Sequence, residues 1–360
     1  MSVQIRHLRR SISVRSGAAR GLTLIELLAV MAILATMMGL SAAVYWRMSQ
    51  NMKEQGAAAE IDVALRQART NAVASNAPAF VELDAENHLV IPWVYKVVGL
   101  WHFENKDGFG RTPGAHSSAI LRSADLKDDG KIGKCAYLPP GSCIDLGVNP
   151  DFDCDDGGYL EAYIRPFGIS DGGTGYIFYK QDCYYLTIKT DGTLQGNAGG
   201  KNVDAPDYHL APGRWTKVAL AWDRHSTRIF IDDAAMAIGP GSVPQVNDHP
   251  LLVGHEDGGF VGRVDEVRVM SASKGRQVFL PGTSTLKHTT QPWDAVYFAN
   301  DGSLDIRHHA GPVSITLLQG TTVRTVTVSM LGLTSREEVQ NKDQYTQDEQ
   351  AKNPAQGKGP

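Results

Sequence analysis

Glu26 is the only charged side chain in the run LTLIELLAVMAILATMMGLSAAVY, residues 22–45. An ionised group inside a membrane segment costs roughly 2.5–3.5 kcal/mol on insertion scales, so this carboxylate calls for a cationic partner. Four cysteines, Cys135, Cys143, Cys154 and Cys183, fall close together with no CxxC pair. An even, clustered set of this kind suits disulfides in an oxidising compartment better than a zinc site. Cys135 and Cys143 flank Leu138-Pro139-Pro140-Gly141, and Cys154 and Cys183 flank two strand-like segments. The first pair is spaced to staple a hairpin and the second to close the next pair of strands, with crossed pairings left open as alternatives. Tyr176, Tyr179, Tyr184, Tyr185, Trp215 and Trp222 supply rings that could stack on a sugar beside polar groups. Strand alternation sends about half of such rings inward, and Trp215 and Trp222 are expected in the core.

Hydrolytic chemistry finds little support. Paired carboxylates of a glycosidase stand about 5–10 Å apart, often on a strand reading E-x-D-x-x-E. Glu82-Leu83-Asp84-Ala85-Glu86 is one residue short of that pattern, and Asp265 and Glu266 are adjacent, so on a strand they face opposite ways. The chain holds no HExxH, GxSxG or P-loop. His308-His309 fall on a predicted turn and are expected to be solvated. No enzyme activity is expected.

The elements that must carry these residues follow from patterning. Arg6, Arg9, Arg10, Arg15 and Arg20 precede the apolar run with no acid among residues 1–21. Such a flank holds the N-terminus on the cytoplasmic side. About 24 residues at ~1.5 Å rise reach roughly 36 Å, enough to span a bilayer core. The small residue, Gly21, comes before the apolar run rather than after it, unlike an ordinary secretory signal. From Lys53 to Asn76 the apolar positions Ala57, Ile61, Ala64, Leu65, Ala68 and Ala72 recur at threes and fours, which predicts a continued, amphipathic helix ending at Asn76 and Pro78.

Beyond it the pattern is β. Phe80–Asp84 and Leu89–Tyr95 read as a hairpin, and residues 99–281 as many short strands between DGG, TDG, APG and GPG turns, the signature of a β-sandwich. Ala295–Phe298 and Leu304–Arg307 predict another hairpin, followed by alternating Val313, Ile315, Leu317 and Val326, Val328, Met330. Residues 335–360 are polar and expected to be disordered. The net charge of −4 with no massed basic face beyond the first residues excludes nucleic acid as a partner.

The stretch RGLTLIELLAVMAIL resembles the class III signal of type IV prepilins and type II secretion pseudopilins. The resemblance implies cleavage by prepilin peptidase between Gly21 and Leu22, methylation of the new amine, and a Glu26 that meets the N-terminal amine of a neighbouring subunit. Leu22 stands where the family usually has phenylalanine. It further implies a single-pass inner-membrane protein with its body in the periplasm, whose partners are other pilins or pseudopilins in a filament.

The run APGRWTKVALAWDRHSTRIFIDD, followed by LLVGHEDGGFVGRVDEVRVM, resembles laminin G-like, concanavalin A-like jelly rolls. That resemblance implies glycan or protein recognition, with a structural Ca2+ held by Asp265 together with Glu104 and Asp107. The last strands resemble those of the H-type minor pseudopilin. The expected fold is therefore α+β, a long pilin helix on a small antiparallel sheet with an inserted β-sandwich. Residues 1–21 are the leader, 22–95 the pilin helix and first hairpin, 96–284 the insert, 285–334 the C-terminal strands and 335–360 the tail. Three domains in series are the alternative. Two functions follow, a structural minor pseudopilin and a glycan-binding module displayed on a filament, the second also open to secreted protein as ligand.

Overall fold

A computed structural model describes residues 23–104, 118–169, 174–257, 259–282, 284–319 and 322–339. The leader, Gly21, Leu22, Asp107 and residues 340–360 lie outside them. The chain divides into two compact units, residues 1–53 and 54–360. One helix, α1 (Leu24–Ser75), contributes to both.

In the first unit, Leu24–Trp46 is long and apolar enough to cross a membrane, and its described side chains are exposed within the chain. Glu26 does find a partner locally. Its Oε2 accepts from Thr23 N and from Thr23 Oγ1, both at 2.9 Å, while Glu26 N donates to Thr23 Oγ1 at 3.4 Å. That is a capping box, which satisfies orphan amides at a helix start. The Thr23-Leu24-Ile25-Glu26 signature was there to be read in the sequence.

In the second unit, Ala57, Ile61, Ala64, Leu65, Ala68 and Ala72 are all buried, as their spacing requires. The helix ends at Asn76, whose φ of 47° is the left-handed cap conformation that asparagine tolerates. Two β-sheets face each other across the main core. Sheet A runs, edge to edge, Ala234–Pro240, Ser226–Ile231, Thr216–Trp222, Gly158–Ile169, Phe260–Lys274, Leu89–Trp101, Ala79–Asp84 and Ala295–Phe298. Sheet B runs Lys201–Ala205, Leu194–Ala198, Tyr184–Lys189, Thr174–Lys180, Leu251–Gly254, Cys143–Asp145 and Ile120–Arg122. Between them lie Trp101, Leu160, Phe178, Leu186, Leu220 and Trp222.

Leu89–Trp101 is continuous across residues 95 and 96. Its first half pairs with Phe80–Asp84 and its second with Val267–Lys274, so hairpin and sandwich share a strand. Sheet A thereby folds back over its own outer face. Phe80, Trp93 and Tyr297 pack on Tyr159, Ala219, Ala221 and Phe230 in a second core. The opposite side of the same strands, Val81, Leu83, Val296 and Phe298, packs on α1 in a third. Thr216–Trp222 is consequently buried on both faces, which is why it reads as a near-continuous apolar run.

Two expectations are corrected here. Only a single bridge, Phe298 to Leu304, joins the expected second hairpin; the chain then turns at 305–308, burying Asp305 and His308 and exposing Ile306 and Arg307. The polar tail begins later than residue 335, because Thr334–Val339 forms a strand on Thr322–Val328. An edge strand needs little apolar alternation, and Asp62 on α1 anchors this one through Thr334 and Arg336.

Candidate functional site

Tyr184, Leu186 and Ile188 point into the main core, so Tyr185, Thr187 and Lys189 line the outer face of sheet B. Strict alternation would put Tyr176 and Tyr179 on opposite faces of their strand. A register shift between Tyr176 and Phe178 brings both outward instead. Their ring centroids lie 4.8 Å apart, and Tyr176 and Tyr185 lie 5.8 Å apart. His255 joins them, at 4.7 Å from Tyr179 and 5.5 Å from Tyr176. All four side chains are half-buried.

The face continues in polar residues. Tyr179, Tyr185, Asn197 and Asn202 are in register across four neighbouring strands, and Tyr176, Thr187, Gln195 and Asp204 across the same four. Tyr185 OH donates to Asn202 Oδ1 at 3.1 Å, and Asn197 Nδ2 donates to the same atom. Lys189 Nζ and Gln195 Nε2 both donate to Asp204 Oδ1, at 2.5 and 2.9 Å. An aromatic half thus adjoins a braced amide and carboxylate half. Sequence reasoning named the three tyrosines but missed His255, Asn197, Asn202 and Asp204. Tyr184 and Trp222 are core residues, and Trp215 is half-buried rather than core.

Asp265 is fully buried at a bulge where sheet A meets the 131–134 segment. Its Oδ2 accepts from Ile132 N at 2.9 Å and its Oδ1 from Glu266 N at 2.8 Å. Burial pushes its carboxyl up to about 6. Glu104 Oε1 accepts from Lys134 N at 3.2 Å. Two of the three expected calcium ligands therefore grip one short segment, and the third, Asp107, is outside the described residues. Among the described residues no cluster of three or more His, Cys, Asp or Glu side chains gathers for a metal.

The expected disulfides are corrected. All four cysteines are free and buried. Cys135 belongs to a strand paired with sheet A and Cys143 to sheet B, so they do not staple one hairpin. Cys154 Sγ lies against Asp151 O and Met270 O, whereas Cys183 Sγ lies 3.1 Å from Gln245 O. Burial pushes the Cys135 and Cys143 thiols up to about 11, which keeps them protonated and unreactive.

His308 and His309 are also corrected, from solvated to buried. Ser226 Oγ lies 3.1 Å from His308 Nε2, and His308 Nδ1 lies 3.0 Å from Asp305 Oδ2. That order matches a Ser-His-Asp triad. Ser226 is fully buried, however, with Asp223 Oδ2 3.3 Å from its hydroxyl and Tyr297 stacked on His308 at 3.7 Å. No substrate carbonyl reaches that oxygen, so the arrangement is a structural weld. Arg228, wholly buried, completes it with Nη2 at 3.1 Å from Asp223 Oδ2 and its guanidinium 4.7 Å from the Tyr297 ring centre. Burial pushes the Asp305 carboxyl up, but the His308 hydrogen bond and nearby Arg228 outweigh it and hold it at about 2.

Residues 149–277 match the family model described as the concanavalin A-like lectin/glucanases superfamily, a laminin G-like domain. No curated protein matches the chain. Among solved structures, domain 4 of AbnA, a GH43 extracellular arabinanase from Geobacillus stearothermophilus solved with arabinotriose, is 20% identical with a TM-score of 0.41, covering 49% of this chain and 93% of that one. The binding domain of Paraclostridial Mosquitocidal Protein 1 gives 13% and 0.40, covering 64% and 70%. Carbohydrate-binding module CBM66 from Bacillus subtilis gives 13% and 0.28, covering 43% and 94%. On the family model, the segment 149–277 is a concanavalin A-like, laminin G-like domain, and the described residues are mostly β with an N-terminal α-helix.

Proposed function

We propose that this chain is a pilin-like subunit, anchored by its N-terminal helix, whose laminin G-like sandwich binds a glycan. The single observation that carries the binding half is the half-exposed Tyr176, Tyr179, Tyr185 and His255 cluster beside braced polar side chains. Rings left at a surface next to amides and carboxylates suit sugars, which offer apolar C–H faces ringed by hydroxyls. The family description, which names lectins, supports the same ligand class.

The pilin-like half rests on the sequence. Gly21, Leu22 and Glu26 sit where the prepilin resemblance needs them, and Leu24–Trp46 is a helix of spanning length. In this reading prepilin peptidase cuts after Gly21, and the chain resides in the inner membrane with its body in the periplasm. It then joins other pilins or pseudopilins, with the sandwich at 96–284 inserted between the 22–95 and 285–334 segments. The capping box and the intersubunit role of Glu26 are compatible in sequence, since the cap uses Oε2. A structural calcium held by Asp265, Glu104 and Asp107 is a separable part of the proposal.

The test uses the full-length chain purified from membranes in detergent. Intact mass should show an N-terminus at methylated Leu22. A glycan array should show saturable binding that Tyr179→Ala with Tyr185→Ala reduces at least tenfold. No binding by the folded protein would leave the sandwich a structural or protein-contacting role among subunits, and an uncut Met1 start would remove the pilin-like half.

A further inference from the structure

On the glycan-binding reading just given, we infer that the ligand is a single, neutral glycan chain laid across the strands of sheet B, and that Asn202 and Asp204 read its hydroxyls without calcium. The register fixes the direction. Tyr179, Tyr185, Asn197 and Asn202 form a row across four neighbouring strands, so with strands ~4.8 Å apart the row spans about 14 Å. A monosaccharide covers only part of such a row.

The rings exclude a flat, crystalline surface as the partner. Tyr176 stands at 89° to Tyr185 and 63° to Tyr179, and His255 at 76° to Tyr179. Rings set at such angles contact one twisted chain on several sides but cannot all lie against a plane.

The polar end sets the chemistry. Asn202 Oδ1 already accepts from Tyr185 and Asn197, which leaves its Nδ2 as a donor for a ligand. Asp204 Oδ1 already accepts from Lys189 and Gln195, which leaves Oδ2 as an acceptor. Both residues are exposed, on the same face of one strand and two positions apart. A hydroxyl that both donates and accepts satisfies this pair, whereas a uronate carboxylate would confront Asp204. The two rows carry one carboxylate, Asp204, and no cation; Lys189, two positions beyond Thr187 on the same strand, is paired with that carboxylate. The two rows therefore offer no unspent cation to an acidic sugar. Nothing in the rows requires Asp265 or Glu104, which lie on sheet A and the segment before it.

The experiment titrates the full-length chain in detergent with neutral oligosaccharides of increasing length and with uronic-acid oligosaccharides, in chelator and, as a parallel arm, in calcium. Neutral chains are expected to bind, with affinity rising from disaccharide to tetrasaccharide, and uronates at least tenfold more weakly. Asn202→Ala and Asp204→Ala should each weaken binding tenfold or more, while Asp204→Asn, which keeps an acceptor, should stay within about threefold. Near-ultraviolet circular dichroism checks that each variant is folded. Equal or tighter uronate binding, affinity flat with length, or both alanine variants within twofold of wild type would overturn the inference. If wild type binds glycan in calcium only and the alanine variants are unchanged, the glycan reading stands and its site lies elsewhere, with the Asp265 rim next in line. If wild type binds no glycan at all, the parent reading falls as well.

Discussion

The outer faces of the two sheets carry similar aromatic residues and treat them in opposite ways. On sheet A, Tyr95, Tyr159, Trp93 and Tyr297 are all buried, because the sheet folds back over itself through the shared strand Leu89–Trp101. Their hydroxyls are spent internally: Tyr297 OH donates to Asp223 Oδ1 at 2.9 Å and Tyr159 OH to Glu161 Oε2 at 2.8 Å. On sheet B, Tyr176, Tyr179 and Tyr185 stand half-exposed against each other, His255 and a polar row. One face is therefore committed to holding the sandwich to the helix-bearing strands, and the other is free to bind. Composition alone does not separate the two roles; what covers the face does.

The contrast is broken most severely at Arg228. Both Asp223 and Asp305 depend on it, and all three side chains are buried. Removing one member of a buried ionic set leaves uncompensated charge, which costs about 3–5 kcal/mol. Arg228→Ala should lose that much in urea denaturation of the full-length chain. A loss under about 1 kcal/mol, the scale of an exposed pair, would mean the face is not welded as described.

A second effect appears in pH. His309 is buried with Nε2 accepting from Tyr297 N at 2.9 Å, and burial first, then neighbouring His308, brings it down to about 4. An unfolded histidine titrates near 6.5. Its contribution is thus present above about pH 6.5 and lost as pH falls toward 4, on the order of 3 kcal/mol in all. Asp265 runs the other way. Raised to about 6 against an unfolded value near 3.9, it contributes most below pH 4 and loses that as pH rises through 6, again on the order of 3 kcal/mol. The two windows overlap and offset each other. His309→Gln should therefore make the protein gain stability on acidification from pH 6.5 to 4, and Asp265→Asn should make it lose stability over the same range. Parallel profiles for the two variants would refute the assignment.

How much of this was legible follows from where the constraint lies. The helix was readable because its burial has a fixed period, and Ala57 to Ala72 obey it. The sandwich was readable from strand density and turns. The two-faced burial of Thr216–Trp222 was visible as a run without polar relief, but not what covered its second face. Tyr176 and Tyr179 were legible as residues, but their common face depends on one register shift. Asn202 and Asp204 sit in a local meander with Leu194–Ala198 and Tyr184–Lys189, but which of their neighbours stand level with them depends on the exact register of two hairpins, which polarity alone does not fix. His308 and His309 looked like turn residues because they are; the turn is buried by Tyr297 on the strand shortly before it and by Ser226, 82 residues away in sequence. The cysteines were misread because clustering in sequence is not adjacency in space, and Cys135 and Cys143 ended on different sheets.

The smallest expected change in stability is the one that separates the faces most sharply. Tyr185→Ala removes a half-exposed ring, an edge contact with Tyr176 and one hydrogen bond to an exposed amide. Such a ring contact contributes about 0.5–1.5 kcal/mol, and solvent replaces the hydrogen bond at little cost, so the loss should stay near 1 kcal/mol. Tyr297→Ala opens a buried cavity, strips Asp223 of a donor and unstacks His308, for which about 3–5 kcal/mol is the usual scale of a large aromatic truncation. Thermal denaturation of the two variants side by side decides the matter. Near-equal losses would place Tyr185 in the fold rather than on a binding face. A small loss for Tyr185→Ala alongside a tenfold loss of glycan affinity would show that this tyrosine is kept for something other than holding the protein together.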